Sequence, residues 1–112
     1  MVLGNKAYRN GDYRAAVEAY SVCLKHDSGS AVAYSNRAMA HLQLENYEEA
    51  LADSDAALKL DEGCVKARYR RGVALENLER KEEAVKEFQS ILEMQPKNKA
   101  ASERLNRLQA QL

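Results

Sequence analysis

Four side chains in this sequence have the types and spacing to hold an anion. Asn5 and Asn36 offer amide N–H donors; Lys66 and Arg70 offer charged ones, four residues apart. A carboxylate carries two oxygens and about four lone-pair sites, so it is best held by donors arriving from several directions. Bonds in which a partner is ionised are roughly twice as strong as neutral ones. Two amides, an ammonium and a guanidinium therefore make a carboxylate grip, provided something brings them together. Tyr8 and Met39 fall one turn on from Asn5 and Asn36, and Leu42 lies a turn beyond Met39 with Gln43 beside it. They predict an apolar strip, and Met in particular adapts to varied shapes.

Other chemistry is poorly provided for. No nucleophile–base pair, glycine-rich phosphate loop or carboxylate dyad emerges in a helical register, so enzyme activity is not expected. Cys23 and Cys64 stand 41 residues apart, and His26 and His41 lie at no ligand spacing from them. No metal site or cofactor is expected, and unpaired cysteines suit a reducing, cytoplasmic setting. His41 reads as a partly buried packing residue. Lys and Arg together number 17, as do Asp and Glu, which disfavours a general polyanion binder. No run approaches ~20 apolar residues, so no membrane span is expected.

The elements that must position the four donors come from an internal repeat of 34 residues. Ala16, Ala50 and Ala84 form one series; Cys23, Ala57 and Ile91 a second; Gly4, Ala38 and Gly72 a third. Apolar residues recur at helical spacing within each unit. Turn-forming groups separate them, at Asn10-Gly11-Asp12, Glu45-Asn46 and Glu79-Arg80 inside units. Between units stand Asp27-Ser28-Gly29-Ser30, Asp61-Glu62-Gly63-Cys64 and Gln95-Pro96-Lys97-Asn98. Pro96 is expected in the first turn of a new helix, where its missing N–H costs nothing. Each unit thus reads as two helices that cross closely at the small residues, with Tyr20, Leu24, Leu58, Phe88 and Leu92 filling the gaps.

The 34-residue period, the Gly/Ala, Ala and Tyr/Phe positions and the terminal Pro96 resemble the tetratricopeptide repeat over residues 1–98. Departures are Ser28 and Glu62 where Pro is usual, and Ser54 where an aromatic is usual. The resemblance implies an all-α fold, a right-handed α-solenoid of three helix-turn-helix repeats. The expected division of this one domain, 1–112, is repeat 1 at 1–30, repeat 2 at 31–64, repeat 3 at 65–98 and a capping helix at 99–112. The tail carries Ala101, Leu105, Leu108 and Leu112 at spacings of three and four, as an amphipathic cap would. Gly4 falls too early in its unit, so the first helix is expected to be about three residues short, as in a fragment of a longer protein.

In such a stack the first helix of each pair lines the concave face. Asn5, Asn36, Lys66 and Arg70 then converge there. The pattern is similar to the carboxylate-clamp subclass, which grips the C-terminal Glu-Glu-Val-Asp tail of heat-shock chaperones with Lys, Asn, Asn, Lys and Arg. Four of the five match; the first falls on Met1. The surrounding Tyr34-Ser35-Asn36-Arg37-Ala38 and Val65-Lys66-Ala67-Arg68-Tyr69-Arg70-Arg71-Gly72 are similar to clamp domains of chaperone adaptors. The resemblance implies a co-chaperone module, monomeric, whose partner is the tail of heat-shock protein 90 or 70. A Met-bearing upstream residue would suit the Tyr8–Met39 strip.

Each residue also has a plainer reading. Asn36 can bond neighbouring backbone. Lys66 and Arg70 can be a solvated face, with mild mutual repulsion. Two alternative functions stand beside the clamp. One is a structural scaffold working through the Leu105/Leu108/Leu112 face or a Met1–Leu3 edge. The other is nucleic-acid binding through Arg68 and Arg71.

Overall fold

The computed structural model describes residues 1–112 and is built of seven helices. They are α1 (Val2–Arg9), α2 (Tyr13–His26), α3 (Ala31–Gln43), α4 (Tyr47–Leu60), α5 (Val65–Asn77), α6 (Lys81–Met94) and α7 (Lys99–Gln111). Each packs on its sequence neighbours, and α3 also meets α5. The stack is an elongated α-solenoid of 40 × 24 × 22 Å.

The 34-residue period governs boundaries as well as composition. α2, α4 and α6 begin at positions 13, 47 and 81; α3, α5 and α7 end at 43, 77 and 111. α7 therefore repeats α5 shifted by one period, and is an added first-type helix rather than an unrelated tail. α1 ends in the same register at Arg9 but has 8 residues where α3 and α5 have 13. Its N-cap is Met1, the first residue of the sequence.

Local chemistry explains the boundaries. The side chains of Asp12, Ser30 and Asn98 accept hydrogen bonds from Ala15, Ala33 and Ala101 N–H groups, satisfying the open donors that start α2, α3 and α7. Inside the units the chain turns through a left-handed residue, again every 34 positions: Gly11, Glu45 and Glu79, with φ of 80°, 59° and 61°. Pro96 departs from expectation. It lies in the connection after α6, two residues before the Asn98 cap, and not in the first turn of α7. Proline suits that place because it cannot continue a helix, although α2 and α4 end in the same register with Ser28 and Glu62 there.

The close crossings are specific. A Cβ on Gly4 would lie 2.6 Å from the Tyr20 ring, and one on Gly72 would lie 2.7 Å from the Phe88 ring. Both rings are fully buried. The equivalent pair in the middle unit is Ala38 with Ser54, also fully buried, where a small partner leaves room for a methyl group. The main core joins Leu51, Leu75, Val85, Phe88 and Ile91, and α7 closes it with Ala101 and Leu108. Leu108 is fully buried while Leu112 stays exposed, so most of the apolar face offered to a scaffold partner is turned inward.

Candidate functional site

α1, α3 and α5 set the candidate donors side by side. Asn36 does not bond its own backbone; its Nδ2 donates towards Asn5 Oδ1 at 3.5 Å. Asn5 Oδ1 also accepts a short bond from the Tyr20 hydroxyl. Burial pushes the Tyr20 phenol above its ordinary pKa, so it remains the donor in that pair. With its oxygen held from two sides, Asn5 keeps its amide N–H donors without a partner in the chain. Met1 stands where the resemblance would put a first cation, its Sδ 3.9 Å from Asn36 Nδ2.

Arg70 reaches across from α5 to α3. Its Nη1 donates to the Ser35 carbonyl at 2.9 Å and to the Ser35 hydroxyl, and its Nη2 lies 3.1 Å from Met39 Sδ. No carboxylate is within ion-pair distance. The other half-buried arginines all have one: Arg37 on Asp53, Arg68 on Glu87, Arg71 on Asp55 and Glu87, and Arg104 on Glu76. Burial accordingly holds Arg70 below the ordinary guanidinium value, opposed only by Cys64, Tyr8 and Tyr20.

Lys66, one turn before Arg70, is exposed and also lacks an acidic partner. The two cations border a cavity of about 260 Å³ with Tyr69 and Asn98. A second cavity, of about 360 Å³, adjoins it through Tyr69 and Arg70. Tyr8, Met39, Leu42 and Gln43 form its opposite wall, with Tyr47. Gln43 Nε2 donates to the Tyr8 hydroxyl at 3.2 Å, tying α3 to α1.

The two arginines of the nucleic-acid alternative are already committed, and His41 packs as its sequence position suggested. Arg68 and Arg71 spend their guanidinium groups on Glu87 and Asp55, leaving little for a phosphate. His41 is packed, with Nδ1 3.3 Å from the Asn46 amide and Nε2 3.8 Å from Asp53. Arg104, on α7, escaped the sequence reading although it lines the larger cavity. The signal was present: Asn36, Arg70 and Arg104 are spaced by 34. No cluster of His, Cys, Asp and Glu capable of holding a metal occurs, and no helix is long and apolar enough to cross a membrane.

Helix pairs stacked in one register around a polar groove define a helical-repeat binding scaffold. The chain matches the tetratricopeptide repeat family over residues 1–61 and 35–99, and it belongs to that family. Hsp70-Hsp90 organizing protein 1 of Glycine max is 47% identical over 51 residues, 46% of this chain and 9% of that protein. Across the first three curated relatives the matched stretch makes up between 7% and 15% of their length. Solved structures align over far more. The second TPR domain of human RPAP3, in complex with HSP70 peptide SGPTIEEVD, has a TM-score of 0.91 and 37% identity. It covers 95% of this chain and 88% of its own. The first TPR of Spaghetti (RPAP3), bound to HSP90 peptide SRMEEVD, gives 0.94 and 33%, over 96% and 85%.

Proposed function

We propose that the chain is a peptide-binding adaptor module of the co-chaperone type, which takes the C-terminal Glu-Glu-Val-Asp tail of heat-shock protein 90 or 70 in its groove. The observation that carries this is Arg70, half-buried on the groove wall with no carboxylate to balance it. Leaving a charge unpaired in a desolvated setting is costly. An incoming carboxylate supplies the missing partner.

In this reading the terminal α-carboxylate and the Asp side chain meet Asn5, Asn36, Lys66 and Arg70. Tyr8, Met39 and Gln43 receive the residues upstream. Residues 1–112 act as one binding unit, a monomer of the cytoplasm, and the module binds rather than catalyses. The likeness to two TPR domains with such peptides bound supports the assignment.

Arg70→Met keeps the apolar stem and removes the charge; Lys66→Ala removes the exposed cation. Each is expected to cost about 1.5–3 kcal/mol of peptide affinity. Arg70→Met should leave thermal stability unchanged or slightly higher, because it removes an unbalanced charge. Unaltered peptide affinity in both variants would overturn the assignment.

A further inference from the structure

The larger cavity contains a second arginine, and it comes from the capping helix. Arg104 occupies on α7 the position that Asn36 has on α3 and Arg70 on α5. A cap needs only its apolar face, and α7 already seats Ala101 and Leu108 in the core. Arg104 instead turns to the groove. Its Nε donates to the Tyr69 hydroxyl at 2.7 Å, its Nη1 to Glu76 at 2.8 Å, and its guanidinium stands 5.5 Å from the Tyr69 ring centre. Arg107, one turn on, is exposed.

The cavity thus holds two arginines, Arg70 and Arg104, and the only carboxylate bonded to either is Glu76. That leaves an excess of positive charge in a partly desolvated recess. An extended peptide advances about 3.3–3.6 Å per residue, so a chain anchored by its terminus passes this recess within a few residues.

We propose that Arg104 is a second anion contact of the groove, reading an acidic side chain upstream of the partner's terminal residue while Glu76 tempers its charge; this rests on the clamp reading above. Both SGPTIEEVD and SRMEEVD carry two glutamates in that stretch. Arg104 is therefore a specificity-determining residue, and α7 is part of the binding site as well as its cap.

The test is a cycle of titrations with N-acetylated SRMEEVD and its two single Glu→Gln forms. Each peptide is titrated into the wild-type chain and into the Arg104→Gln and Glu76→Gln variants. On wild type, one Glu→Gln peptide should lose about threefold in affinity, the size of a half-exposed ion pair. That loss should vanish on Arg104→Gln. Glu76→Gln keeps the bond from Arg104 to Tyr69, and should bind the parent peptide about threefold tighter with a steeper salt dependence. A purely structural Arg104 would move neither readout. The proposal is overturned if the Glu→Gln loss persists undiminished on Arg104→Gln, or if neither glutamate matters to wild type. Binding that needs the terminal carboxylate but ignores this cycle overturns Arg104 alone. Absence of any binding to wild type overturns the clamp and Arg104 together.

Discussion

Five half-buried arginines sort themselves by their partners. Arg37, Arg68, Arg71 and Arg104 each rest on a carboxylate, and Arg70 rests on a carbonyl, a hydroxyl and a thioether. Arg37, Arg68 and Arg71 fasten first helices to second ones, Arg104 ties α7 to α5 from within the lining of the groove, and Arg70 alone has no carboxylate. Sequence spacing shows Arg68, Arg70 and Arg71 as one basic run, and only their side-chain directions separate fasteners from the free cation. His41 illustrates the structural kind. Burial lowers its pKa from the ordinary 6.5, with Asp53 and Glu49 opposing and Arg37 adding to the shift. The unfolded chain then binds a proton at a pH where the folded chain does not, so stability falls as pH drops through the unfolded value. His41→Gln removes that liability. From about pH 7.5 to about pH 5.5 the wild-type melting temperature should fall further than the variant's. Parallel falls would show that His41 does not titrate between the two states.

At the scale of elements, the period decides which residues oppose each other. A residue on a first helix meets the one 16 positions later on the second: Gly4 with Tyr20, Gly72 with Phe88, Arg37 with Asp53 and Arg71 with Glu87. Ala38 and Ser54 are the remaining pair in the series of Gly4 and Gly72, and the structure accounts for what the sequence shows only as a departure. Glycine accompanies an aromatic, and alanine accompanies a serine, because the space is shared. Ser54→Phe alone should cost about 2 kcal/mol by overpacking against Ala38. Adding Ala38→Gly should recover more than about 1 kcal/mol of that, a coupling visible in urea unfolding of the single and double variants. Simple additivity would show that the two positions do not share one space. Helix number, type and register were legible because three series agreed. The place of Pro96 was not, since proline stops one helix as readily as it starts the next.

On the scale of the whole molecule, seven helices make a groove whose cations come from α5 and α7 and whose amides come from α1 and α3. Asn5, Asn36, Lys66 and Arg70 could be chosen from the sequence because the period assigns them to neighbouring helices on one face. Arg104 could not be chosen while α7 was read only for its apolar spacing. Once α7 is seen as one more first-type helix, the series from Asn36 through Arg70 runs on to it. The central claim is that this groove recognises a chain terminus, not merely an acidic peptide. It is tested most directly by calorimetric titration with SRMEEVD bearing a free C-terminal carboxylate, beside the same peptide amidated at that end. The free peptide should bind with micromolar affinity, about 8 kcal/mol, after the cost of ordering a flexible tail. Amidation should weaken it by about tenfold or more, since it removes a charge-assisted partner of Arg70 and Lys66. Equal affinity for the two peptides would contradict the clamp.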